Sequence, residues 1–422
     1  MADINIGKAP PNHAVLPFYA TGAFAFVILC FLLLISAESL TGHFFHPHLL
    51  TIVHIAVLGW GTMIIFGAAY QLLPVICEKD LYSPGLAIAS WYCLTSGVAL
   101  LAGSFWNFTT GWIMIAGGSL VALSTLMYII NVAGTSRICS RYSIQRLFIL
   151  TSACWLLFTV VVGLLLAINL SFPFFSKNHL DILKLHAHAG LVGWFLLLIV
   201  GVSTKLVPMF LLGKSGKNKL LMAAFLLQNA GLIAFLADGY FWGGHALRFG
   251  IYALLILTGV LCWLRYLADA FRNRVRKKTD YLMKHTFISF LMLLLAFAVL
   301  PLILLQQDMR WVMLYGCLLF MGWISSIILG MTFKTLPFIV WNGHYKKLSG
   351  KVKVPLPKQL YQESLVSMQF YLFLIAILLL IAGIIVQYVL LIRIALAVWC
   401  IIGLIYLYNV IKVLRHKTTV LS

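Results

Sequence analysis

The sequence predicts an all-α polytopic membrane protein of about twelve transmembrane helices in three pseudo-repeated four-helix units. Three observations predict it: an apolar composition, runs without charge that are long enough to cross a bilayer, and one helix pattern that occurs three times. Of 422 residues, 63% are hydrophobic and 9% charged, against about 25% charged in a soluble domain. Runs such as Val57–Val75, Ile115–Ala133 and Phe370–Ile385 hold few or no ionised groups. Each approaches the roughly 20 residues that span a hydrocarbon core of ~30 Å. Spans are expected near 15–38, 49–76, 84–106, 111–134, 147–171, 184–212, 220–238, 247–268, 285–305, 310–338, 364–388 and 391–414. The first, around Phe18–Ser36, is followed by no small-residue cleavage pattern and is read as a retained helix. The whole of 1–422 is read as one membrane domain, with repeats over roughly 15–134, 147–268 and 285–414.

The net charge of +20 follows topology, not a nucleic-acid surface. Lys and Arg gather in alternate loops: Arg137, Arg141 and Arg146; Lys214, Lys217 and Lys219; Arg272, Arg274, Arg276, Lys277 and Lys278. The series continues with Lys346, Lys347, Lys351, Lys353 and Lys358, then Lys412, Arg415 and Lys417. The intervening loops, such as Ser104–Thr110 and Asp238–His245, are nearly free of them. By the positive-inside rule the basic loops and both termini are cytoplasmic, which implies a multi-pass protein of the inner (cytoplasmic) membrane. The lipid bilayer is the one partner that composition requires, and nucleic acid is excluded.

The repeat reads HIAVLGWGTMIIFGAAYQLLPV, HAGLVGWFLLLIVGVSTKLVPM and CLLFMGWISSIILGMTFKTLPF. His54, His188 and Cys317 are each followed five residues later by Gly-Trp and twenty residues later by Pro74, Pro208 and Pro337. The repeated Gly59, Gly193 and Gly322 are expected where neighbouring helices approach closely. The three prolines are expected near helix ends on the basic side, where a kink is tolerated. Three residues before them stand Gln71, Lys205 and Lys334. The two lysines can snorkel to headgroups; as unpaired cations within spans they would also suit a transport pathway.

Eight of twelve histidines fall at or just inside the side opposite the basic loops: His43, His46, His48, His54, His179, His186, His188 and His245. His13, His285, His344 and His416 go with the basic side. His54 lies within an apolar helix, where an unpartnered imidazole is costly, and His188 holds the same repeat position. Neutral imidazole is a ligand for haem iron and for copper, and two such residues at equal depth could hold a haem between helices. His186 and His188 are roughly 200° apart on a helix. They share one metal only if the helix begins there; otherwise they face different neighbours. The HPH at His46–His48 is a second candidate, placed in a loop. The carboxylates, Asp3 to Glu363, all lie at span ends or in loops, which counts against a proton-coupled transporter. Cys30, Cys77, Cys93, Cys139, Cys154, Cys262, Cys317 and Cys400 form no CxxC and read as small apolar residues, not disulfides or a zinc site. No phosphate loop, catalytic triad or HExxH is present.

Twelve spans in three units, with HPHLLTIVHIAVLGWG and GAAYQLLP on span 2, resemble the haem–copper oxidase subunit I superfamily, which includes the cbb3 oxidases and nitric oxide reductases. LHAHAGLVGW is also similar to a segment of the NnrS-like haem–copper membrane proteins. The resemblance implies His54 as a low-spin haem ligand and His186 or His188 as a copper ligand. It departs from the family in three places. Span 6 lacks the following carboxylate and tyrosine, span 7 has no adjacent histidine pair, and span 10 carries Cys317 where a histidine is expected. The expected protein therefore binds haem b, with copper as a further metal, through His54 and His188, with His186 and His48 in reserve. Electron transfer, or nitric oxide and metal handling, fits better than oxygen reduction. If it is an enzyme, it is a haem-dependent oxidoreductase served by a respiratory-chain partner or cytochrome. The alternatives are a cofactor-free transporter or channel and an accessory or assembly subunit of a respiratory complex.

Overall fold

Twelve helices long and apolar enough to cross a membrane account for most of a computed structural model that describes residues 10–77, 79–137 and 143–418. They are α1 (Asn12–Ile35), α2 (Pro47–Val75), α3 (Pro84–Trp106), α4 (Trp112–Arg137), α5 (Ile144–Ser171) and α6 (His179–Leu211). Then follow α7 (Asn218–Phe241), α8 (Ala246–Arg272), α9 (Tyr281–Gln306), α10 (Met309–Tyr345), α11 (Glu363–Ile385) and α12 (Val389–Leu414). No β-strand occurs among the described residues. The protein is an all-α, multi-pass membrane protein. Asp3, Glu78, Cys139 and Arg141 lie outside the described residues.

Local chemistry sets the helix starts. Pro47 and Pro84 open α2 and α3, where a missing N–H costs nothing. Ser83, Ser143, Asn178, Asp280 and Asp308 cap α3, α5, α6, α9 and α10 by accepting a backbone N–H of the first turn. The Asn178 cap starts α6 five residues before the expected 184, and Pro47 draws His48 into the first turn of α2, not a loop. At the other end of the chain, α10 runs on past Pro337 to Tyr345 and so includes His344, whereas the sequence suggested a span ending near 338 without a histidine. Proline costs one hydrogen bond but does not end a helix that neighbours hold in apolar surroundings.

The chain divides into two compact units, Met1–Thr109 with Asp280–Ser422, and Thr110–Thr279. The first sequence repeat is thus shared: α1–α3 belong to one unit and α4 to the other. In the first unit α1 packs on α2 and α12, α2 on α3, α9 on α10, and α11 on α12. In the second, α4 packs on α5, α5 on α6, α6 on α8, and α7 on α8.

The three repeat helices are the interior ones. The most apolar stretches of α2, α6 and α10 are 78%, 83% and 78% buried, against 22–50% for the other nine helices. Each also changes to π-helix immediately after its marked residue: Ile55–Thr62 after His54, Ala189–Leu196 after His188, and Leu318–Ile324 after Cys317. π-Helix is rare and concentrates at functional sites, so its recurrence at one repeat position extends the sequence repeat into backbone geometry.

The repeated glycine lies inside this segment and admits the preceding helix. A Cβ on Gly59 would lie 3.3 Å from Ala25 of α1; on Gly193, 2.6 Å from Trp155 of α5; on Gly322, 3.0 Å from Met292 of α9. The close-packing reading of the Gly-Trp pair therefore holds. A second glycine eight residues on does the same: Gly67 against Phe18, Gly201 against Phe148, and Gly330 against the Leu282 carbonyl. The tryptophans are fully enclosed. Trp60 stacks on Phe26 at 4.3 Å and donates to Ser325 Oγ at 3.2 Å, which ties α2 to α10.

Seven described cysteines are free; Cys30, Cys77, Cys317 and Cys400 are buried, whereas Cys93 and Cys262 are half-buried and Cys154 is exposed. Beyond α12 the chain folds back onto the end of α10. His416 Nε2 and the Tyr345 hydroxyl are hydrogen-bonded at 2.7 Å, and His344 Nδ1 and Thr418 Oγ1 at 2.8 Å. Burial, and then the neighbouring His344, hold His416 below its ordinary 6.5. The docked ring stays neutral where a released one is protonated, so docking weakens as pH falls below that value.

Two outcomes follow. Gly330→Ala must displace backbone 2.6 Å away and should lower unfolding stability in detergent by about 1–3 kcal/mol. Gly316→Ala, in the same helix with nothing within 4 Å, should cost none. Amide exchange over residues 415–418, corrected for intrinsic rates, should speed up several-fold from about pH 7.5 to about pH 5.5. His416→Gln should remove that dependence.

Candidate functional site

His54 sits in α2 one residue before the π-helical segment, half-buried. Its Nδ1 is 2.7 Å from the Leu50 carbonyl, four residues back. A carbonyl oxygen can only accept, so Nδ1 carries the proton and the neutral ring keeps its lone pair on Nε2. The ring lies against Phe105 of α3, centroids 4.5 Å apart and planes 26° apart. One turn earlier Thr51 donates to the Ala102 carbonyl of α3 at 3.3 Å. Thr51 and His54 thus meet Ala102 and Phe105 in step, and α3 fixes both the height and the plane of the imidazole.

The second unit repeats this arrangement. His188 Nδ1 is 2.8 Å from the Lys184 carbonyl, again four residues back, and its ring packs on Phe235 of α7 at 4.8 Å. Both histidines therefore hold the same tautomer, through the same backbone bond, against a phenylalanine of the third helix of their own repeat. His186 takes the other face of α6. Its Nδ1 donates to the Thr159 carbonyl of α5 at 2.9 Å, in a notch where a Cβ on Gly163 would come within 2.7 Å of the ring. Because the helix begins at His179, His186 and His188 diverge and face different neighbours. They do not converge on one ion.

His48 lies flat on Trp106 at 3.9 Å and 10°, with Nδ1 3.4 Å from Ser36 Oγ. His46 meets it edge-on at 5.1 Å, and His46 Nδ1 is buried without a hydrogen bond. His43, His179 and His245 serve local structure: His43 Nδ1 accepts from Phe45 N, His179 Nδ1 is 3.4 Å from Asn169 Nδ2, and His245 caps α8. No group of three or more His, Cys, Asp or Glu among the described residues is placed to hold a metal ion. The donors present fit a single axial imidazole for haem iron: a proton anchored on a carbonyl leaves Nε2 as the ligand nitrogen.

No protein-family model matches the chain, and no curated protein matches it.

The two span lysines differ from each other. Lys334 is paired with Asp280, the cap of α9, and so is not the unpaired cation expected from sequence. Lys205 is exposed on α6, as a snorkelling residue would be.

Sequence reasoning passed over His285, grouped with the basic loops but fully buried in α9. The glycine contacts show what it replaces. Gly67 faces Phe18 Cβ and the Val15 carbonyl, Gly201 faces Phe148 Cβ and the Gln145 carbonyl, and Gly330 faces His285 Cβ and the Leu282 carbonyl. Where two repeats hold phenylalanine, the third holds an imidazole. Its Nδ1 is 3.2 Å from Ser326 Oγ, which donates its own proton to the His285 carbonyl at 2.9 Å. Nε2 is buried without a hydrogen-bond partner, and the ring packs against Phe370 and Phe373 at centroid distances of 5.1 and 5.2 Å.

Proposed function

We propose that this chain is a haem–copper oxidase-like membrane protein that binds haem b through His54, with His188 as the equivalent candidate position in the second repeat. The observation that carries the reading is the shared state of these two rings. Each donates Nδ1–H to the carbonyl four residues back, and each precedes a π-helical segment in an interior helix. An imidazole so anchored is held in one orientation and one tautomer, with its lone pair on Nε2, which is what an axial ligand needs. Phe105 and Phe235 restrain the ring planes and keep water from that face. Haem b, when bound, supplies reversible one-electron chemistry, which suits electron transfer or nitric oxide handling with a respiratory-chain partner. His186, held against α5, is the reserve ligand, and copper is a further metal that one of these imidazoles could take. An inner-membrane location with the basic loops cytoplasmic accords with the charge pattern. A cofactor-free transporter has less support, since Asp280 neutralises Lys334 and Lys205 stands exposed.

Purified protein should show a Soret band and contain iron. His54→Ala should reduce haem content at least about tenfold, as loss of an axial ligand does, and His188→Ala tests the equivalent ring of the second repeat by the same measurement. Absence of a Soret band, with neither iron nor copper found by metal analysis, would remove the proposal. Co-purification with a respiratory complex without intrinsic haem would favour the accessory-subunit reading instead.

A further inference from the structure

The segment joining α10 to α11, residues 346–362, holds Lys346, Lys347, Lys351, Lys353 and Lys358 and no carboxylate. All five lysines are exposed, and among them stand two exposed aliphatic side chains, Val352 at 42% and Leu356 at 57%.

The segment is built, not loose. Ser349 and Val352 form a bridge about Gly350, whose φ of +81° suits glycine. Gln359 Oε1 accepts from Leu356 N at 2.6 Å. Trp341 Nε1 of α10 donates to the Pro355 carbonyl at 2.6 Å. Further along, Leu360 and Tyr361 are buried, and Tyr361 lies 5.3 Å from the Phe333 ring of α10. These contacts fix depth. Trp341 is four residues before the end of α10 at Tyr345, or about 6 Å along the axis. The hydrogen bond therefore draws Pro355 back below the level of the helix end, alongside a tryptophan of the kind that marks a membrane–water interface. The hairpin that carries the lysines and the two aliphatic residues is thereby tied to the last turns of α10 at Trp341.

We propose that the hairpin Lys346–Lys358 is a binding site for anionic phospholipid headgroups of the surrounding bilayer. The lysines attract phosphodiesters, and Val352 and Leu356 enter the acyl boundary between them. Charge of one sign, two exposed aliphatic residues among the lysines, and a hairpin tied to Trp341 at the end of α10 together favour a lipid over an acidic protein, which would need no aliphatic insertion.

The test uses the full chain in nanodiscs of phosphatidylcholine alone or with about 30% phosphatidylglycerol, a composition rich enough to give a strong surface potential. Hydrogen exchange over 346–362 should slow several-fold in the phosphatidylglycerol discs and remain fast in phosphatidylcholine. Replacing all five lysines by Gln should abolish the difference, and Val352→Ser with Leu356→Ser should reduce it. Equal exchange in the two lipids would overturn the proposal. So would equal slowing by inorganic phosphate in phosphatidylcholine discs, or a lipid difference that persists in the five-lysine variant. The substituted side chains are exposed, so an unchanged helical circular dichroism spectrum verifies that each variant is folded.

Discussion

Inside hydrocarbon every backbone polar group must be satisfied within the protein, and no water stands ready for a side chain that is not. A buried polar residue on a membrane helix therefore turns to what lies nearest, a carbonyl one turn back or a hydroxyl on the next helix. His54 and His188 take the carbonyls of Leu50 and Lys184; Trp60 and Trp263 take the hydroxyls of Ser325 and Ser203. For a tryptophan this exhausts its one donor. For a histidine it commits one nitrogen and defines the other. The same constraint that stabilises the helix thus leaves the lone pair on a defined nitrogen.

The threefold pattern sharpens this picture by its exceptions. All three interior helices keep the π-helical segment and both glycines, so the packing of each on its preceding helix is preserved. The polar residues have moved. The third repeat has the buried Cys317 where the other two hold His54 and His188, and it has His285 where its counterparts hold Phe18 and Phe148. Packing positions and chemical positions have diverged independently within one chain.

Much of the fold was legible because its causes are local. Apolar run length gives the spans, and the Gly-Trp offset marks the three helices that the structure buries most deeply. What was not legible depended on context. The persistence of α10 beyond Pro337 needs neighbours to hold the helix together. The Lys334–Asp280 pair joins residues 54 positions apart. The equivalence of His285 with Phe18 and Phe148 was hidden by loops of different length, which place these residues 49, 45 and 53 positions from their glycines (Phe18, His285 and Phe148 in turn). The divergence of His186 from His188 was posed correctly as a geometric alternative, and the Asn178 cap decided it by starting the helix early.

The π-helical segments carry a consequence for how such a protein tolerates change. Each wider turn holds a surplus residue relative to regular helix, and one residue corresponds to about 100° of rotation. The direction in which His54 or His188 points is thus encoded by chain length between it and the anchored glycine, not only by the identity of its contacts. A single deletion there would leave composition, span length and hydropathy almost unchanged while swinging the imidazole toward a different neighbour.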